Sequence, residues 1–278
     1  MRTEELRDFD RKVSTINKNF SHGLFLSEQF LLDNAQKIAD RGEAFSRDEY
    51  TSNSYREKFN YRLKSLPDEI KEYQKASFIS FYVFMYSAFE LYIEELAAFV
   101  KNILTTGLHK SNKENFLEAI FRSLGTNINQ NLNTSEIDTM DYIRLRRNRL
   151  IHADGQPSQT LLTLMTTKGQ QLNEYWKSTR VQLNIIDFSA IDIGQFEERE
   201  IIDGILILRE LAKKIDQAVL SRFRKEDILA YILDDFQKVF VEAIKSKPKR
   251  RLENMFASIA KRRFNIDRND INFAVLIF

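Results

Sequence analysis

Cysteine is absent from this 278-residue chain. That excludes disulfide frameworks, Cys-ligated zinc, iron–sulfur clusters and thiol nucleophiles. With only 3 His, an all-His metal site is nearly excluded too, so neither a metal nor a cofactor is expected. Glycine and proline are scarce, at 8 and 3 residues, which argues against barrels, sandwiches and Gly-rich nucleotide-binding loops and for long helices. An excess of one charge is also missing. There are 42 Lys+Arg against 40 Asp+Glu, so any nucleic-acid contact has to come from a local patch. The start, Met1-Arg2-Thr3-Glu4-Glu5-Leu6, lacks the apolar stretch of a secretory signal, and the longest uncharged apolar-rich run, 76–89, is too short to span a bilayer. The expectation is a cytoplasmic protein with no membrane partner.

What is present supports a real core: 43% of residues are hydrophobic and 29% charged. The periodicity predicts an all-α, mostly helical fold. Residues 1–75 read as two or three helices, with Ala35, Ile38 and Ala39 at helical spacing, and Tyr55, Phe59, Arg62, Leu63 and Leu66 likewise, ending at Pro67. A long helix over 67–105 is apolar nearly all round at 78–89, as a helix buried on several sides would be, with Gly107 as its cap. A short helix over 114–124 precedes a polar loop. Ser135 is then placed to cap a helix over 136–153 that Gly155 and Pro157 stop. Between 156 and 200 the pattern changes: Lys168-Gly169 reads as a turn, and the alternation over 181–186 predicts a small β element. Helices return over 196–223 and 227–244. Residues 271–278 read as a terminal strand or a docking tail.

One stretch carries chemistry: Arg144-Leu145-Arg146-Arg147-Asn148-Arg149-Leu150-Ile151-His152. On a helix, Arg147 falls on the apolar stripe of Met140, Ile143, Leu150 and Ile151, an expensive place for a guanidinium that meets no anion or partner surface. Asn148 lies four residues before His152, so the two side chains can meet. His152 falls in the last turn, where the negative helix end favours its protonated form. Arginine offers a fixed fork of donors to a phosphate, and histidine can move a proton near pH 7. Together they suit metal-free phosphodiester cleavage of RNA, which supplies its own nucleophile in the 2′-hydroxyl. One Arg and one His are a thin set for acid–base work, and two copies related by two-fold symmetry would supply both an acid and a base.

Arg147-Asn148-Arg149-Leu150-Ile151-His152 resembles the Arg-x4-6-His signature of the HEPN superfamily, with a polar residue directly after the Arg. The segment Tyr86-Ser87-Ala88-Phe89-Glu90-Leu91-Tyr92-Ile93 resembles the first core helix of HEPN domains, where a glutamate interrupts an apolar helix and packs towards the motif. The resemblance covers roughly residues 72–220. It implies a helical bundle that dimerises so that two Arg…His motifs form one cleft. It also implies a metal-independent endoribonuclease, of the kind found in toxin–antitoxin and antiviral defence systems, leaving a 2′,3′-cyclic phosphate. In that reading Arg147, Asn148 and His152 are catalytic and Glu90 braces them from a buried-looking stripe, a Glu90–Arg147 contact orienting the guanidinium. The partners implied are an RNA substrate, a second copy of the chain, and an antitoxin or defence-system protein. The division expected is an N-terminal extension over 1–71, a HEPN-like core over 72–224 with an insertion at 156–195, and a basic extension over 225–278. A non-catalytic scaffold or RNA-binding module of the same fold is the alternative.

The remaining features have plainer readings. Arg144, Arg146 and Arg149 suit a solvated or RNA-facing rim. Nine basic residues in 245–268, Lys249, Arg250 and Arg251 among them, stand against Glu253 and Asp267, and fit either a solvated face or an RNA-guiding patch. His22, in a turn, and His109, in a loop, read as surface residues. The aromatic run 78–89 reads as core. Trp176 has no assignable role.

Overall fold

The computed structural model describes residues 1–104, 115–151, 157–190 and 198–276. It is 78% helical, with no sheet among the described residues. Ten helices are described: α1 (Glu4–Asp40), α2 (Ser46–Glu49), α3 (Leu66–Leu104), α4 (Phe116–Ser123), α5 (Thr134–Ile151), α6 (Gln159–Ser178), α7 (Glu198–Leu220), α8 (Lys225–Val239), α9 (Val241–Ser246) and α10 (Lys249–Phe264).

Two long antiparallel helices form the spine. Thr3 caps α1, accepting from the Leu6 amide at 3.1 Å, and Thr3 is itself tied to the buried Asp216 of α7 through its backbone amide and its hydroxyl. Leu6, Phe9, Val13 and Phe20 face the core, and Phe9 packs on Phe89 and Tyr92 of α3, while Phe20 packs on Phe78 and Phe81. The α3 window that is apolar enough to cross a membrane by length and composition is 39% buried in the bundle. Tyr82, Met85, Phe89 and Tyr92 of this stretch are core residues, whereas Phe84 is exposed. Helices α4, α5 and α7 pack on the C-terminal half of α3, α6 packs on α5, and α8 and α10 close the far end around Phe99. One hydrophobic cluster runs from Leu6 to Leu276 and so includes both terminal segments, and position 72 lies within α3.

Several local expectations are overturned. His22 lies inside α1, exposed, because a lone glycine at position 23 costs a helix only about 1 kcal/mol. Residues 55–62 are not helical. Ala44–Ser46 pair with Tyr61–Leu63 through a β-bridge at Phe45 and Arg62, and only a 3-10 turn forms at Leu63–Ser65. Asn133, not Ser135, caps α5: its Oδ1 accepts from the Ser135 amide, while the Asn133 amide donates to Glu136. Gly169 is in the middle of α6 rather than in a turn. A Cβ there would stand 2.6 Å from the Phe188 carbonyl oxygen, so its smallness lets the 187–190 loop lie on the helix. The expected β element at 181–186 does not form. The amides of Asn184, Ile185 and Ile186 donate instead to the buried carboxylate of Asp203 at 2.9–3.0 Å, which satisfies them without a partner strand. Trp176 is fully buried, its indole N–H on Thr139. The C-terminal segment is a docking tail: Ile271 and Leu276 are buried on either side of a 3-10 turn, Phe273–Val275. Gly107, His109 and Gly155 lie outside the described residues.

Candidate functional site

The C-terminal turns of α5 cross the middle of α3, and their chemistry divides between two faces. The side chains of α5 that go deepest are Ser135, Thr139, Tyr142, Ile143 and Arg146. This is a largely polar face. It is buried because Thr139 receives the Trp176 indole proton and Tyr142 meets Phe188 edge-on, with ring centroids 4.9 Å apart. Arg146 therefore corrects the expected solvated rim: its side chain is 4% exposed and forms an ion pair with Glu200 of α7. Burial pulls the Arg146 pKa down, and Tyr142, Glu200 and Tyr82 more than restore it, so the guanidinium stays charged.

One residue on, Arg147 turns about 100° around the helix towards α3. Its Nη2 donates to Glu90 Oε2 at 2.6 Å and its Nη1 to Asn148 Oδ1 at 3.0 Å. Its guanidinium carbon lies 4.9 Å from the centroid of the Tyr86 ring, within cation–π range. The Glu90–Arg147 contact expected from the sequence is thus present, but the depth differs. The Arg147 side chain is 21% exposed and that of Glu90 43%, so the carboxylate is not buried. It sits where the α3 stripe reaches solvent. Tyr86 is pushed up to about 12, by burial first and by the Glu90 charge next, so its phenol stays protonated and serves as a ring and not as a base.

The other predicted residues scatter. Arg144 pairs with Asp141 three residues back at 2.9 Å. Arg149 is half-buried. Lys249, Arg250 and Arg251 begin α10 and are exposed, whereas Arg263 of the same basic run is held by Asp235 and Glu4. His152 lies outside the described residues, immediately after the last turn of α5. Among the described residues no three His, Asp or Glu side chains converge as a metal site.

Beside Glu90, a groove of about 520 Å³ runs between α3, α4 and α5. Its floor is apolar, with Phe89, Ile93, Phe116 and Met140, and its rim carries Glu90, Glu94, Glu118 and Asp141 against Arg144. Sequence reasoning missed this groove, the Tyr86 ring under Arg147, and Glu200. Only Tyr86 had a signal, since it lies four residues before Glu90 on one face of α3. Comparison with protein-family models, with curated proteins and with solved structures finds no match to the chain.

Proposed function

We propose that the chain is a metal-independent endoribonuclease of the HEPN type, serving as a toxin or antiviral effector. The observation that carries this reading is Arg147: a guanidinium at the solvent edge, held in one orientation by Glu90, Asn148 and the Tyr86 ring, five residues before His152. Its fork binds a phosphate and stabilises charge on the phosphorane-like transition state. In a two-fold homodimer one His152 takes the 2′-hydroxyl proton as the O2′–P bond forms. The other gives a proton to O5′ as the P–O5′ bond breaks. The products are a 2′,3′-cyclic phosphate and a 5′-hydroxyl end. Asn148 and Glu90 are positioning residues. Arg147→Ala and His152→Ala are each expected to lower RNA cleavage by about 10²–10⁴-fold without changing the fold or the dimer. Wild-type cleavage in either variant would remove the assignment.

The acidic rim of the neighbouring groove favours a second reading. Four carboxylates, with Glu90 paired to Arg147 and Asp141 to Arg144, leave a net negative rim that disfavours a phosphate backbone on that side and suits a protein partner, such as an antitoxin or the second protein of a defence pair. A non-catalytic scaffold docking its partner there would show partner binding with no RNA cleavage to lose.

A further inference from the structure

Beyond Phe20 no residue of α1 is buried, and before Tyr82 none of α3 is. The two helices therefore leave the bundle as an arm about 30 Å long, from 1.5 Å per residue over some twenty residues. Its tip, 41–65, is ordered by its own bonds. The Ser46 amide donates to the Tyr61 carbonyl at 2.7 Å, the Leu63 amide to the Ala44 carbonyl at 2.9 Å, and Leu63 is fully buried beneath them.

What this small structure displays is unusual. The large apolar side chains exposed at the tip are all aromatic: Phe45 (38% exposed), Tyr55 (61%), Phe59 (59%) and Tyr61 (38%). Basic residues are interleaved with them: residues 51–65 carry Arg56, Lys58, Arg62 and Lys64, of which Arg56 pairs with Glu57 and Arg62 and Lys64 pair with Glu43 at the exposed surface. The Arg62 guanidinium lies 5.5 Å from the Phe45 ring centroid, and Arg56 Nη1 is tied to the Thr51 carbonyl at 2.9 Å. Solvent-facing rings interspersed with cations stack unpaired bases while the cations meet the phosphates. Between 41 and 65 these rings have no exposed large aliphatic neighbour.

We propose that the tip of the α1–α3 arm is a stacking platform for single-stranded nucleic acid that captures RNA for the Arg147 site. The capture role rests on the ribonuclease reading; the binding does not. The rings carry the affinity. Across 41–65 six basic residues face four acidic ones, so the salt dependence is shallow, with a slope of log K on log salt of about −1 to −2. Ring stacking reads base faces and not the 2′-hydroxyl, so single-stranded DNA binds about as well as RNA and duplex binds poorly.

The test uses the intact chain and a fluorescein-labelled single-stranded DNA 20-mer, which lacks the 2′-hydroxyl and is not cut. The double variant Tyr55→Ala/Phe59→Ala is expected to weaken binding at least about thirtyfold with an unchanged Tm. The ring-keeping variant Tyr55→Phe/Phe59→Tyr should bind like the wild type. Unchanged binding in the double Ala variant, or equal binding of duplex, overturns the proposal. Loss of a dimer on sedimentation with unchanged probe binding assigns the rings to protein contact and overturns it too. Tip-dependent binding by a protein that cuts no RNA would leave the platform standing and remove only the nuclease reading.

Discussion

Arg146 and Arg147 are neighbours in sequence with the same chemical head, and each pairs with a glutamate from another helix, yet they do opposite work. Arg146 and Glu200 are sealed between α5 and α7, with side chains 4% and 12% exposed. Arg147 and Glu90 meet at the edge of α3, 21% and 43% exposed. Buried ions that lose a partner are stranded in low dielectric, whereas exposed pairs contribute little to stability because water screens them. The first pair therefore holds the fold. The second contributes little to stability and leaves the guanidinium at the solvent edge, where a phosphate meets it in the proposed reading while Glu90 orients the fork.

The sharpest way to break this contrast is to truncate the buried member. Arg146→Ala should cost about 3–5 kcal/mol, read as a large fall in the denaturation midpoint. Arg146→Met combined with Glu200→Leu should recover most of it, since no lone charge is left behind. A small effect of Arg146→Ala would mean that the two pairs are equivalent.

A third carboxylate shows what burial does when the nearby arginine, Arg263, offsets only part of it. Glu5, near the start of α1, is pushed up to about 7, by burial first. Its Oε2 is buried with no hydrogen-bond partner among the described residues. Between pH 4.5 and 7 the folded chain holds a proton that the unfolded chain has lost, so stability falls as pH rises through that window. Glu5→Gln should flatten that fall and add on the order of 2–3 kcal/mol at pH 8, measured by urea denaturation at pH 5 and pH 8. A pH-independent gain would show that the charge is not responsible.

The smallest stability effect belongs to the edge pair. Glu90→Gln should change stability by about 0–1 kcal/mol while lowering cleavage about tenfold by loosening the Arg147 fork. A large loss of stability with unimpaired cleavage would reverse the roles assigned to the two pairs.

Much of this architecture is written in local periodicity. The α3 and α7 stripes repeat at helical spacing, and their buried residues follow that spacing. The Arg147 motif with Glu90 was also legible, because each sits at the edge of an apolar stripe. What was not legible is non-local. The deep face of α5 is Ser135, Thr139, Tyr142 and Arg146, polar residues that only Trp176, Phe188 and Glu200 make a core face. Hydropathy therefore put Arg147 innermost, one residue too far. The 181–186 alternation is answered by Asp203 of a later helix, a partner no short window contains. The helical spacing of Tyr55, Phe59 and Arg62 is real, but the chain there is held by pairing with 44–46.

The central claim, that Arg147 is a phosphate ligand in a metal-free RNA-cutting site, is tested most directly by incubating the purified chain with RNA in excess EDTA and identifying the new ends. The account predicts cleavage that leaves a 2′,3′-cyclic phosphate and disappears in Arg147→Ala. A strict need for Mg²⁺, or cyclic ends that persist in Arg147→Ala, would contradict it.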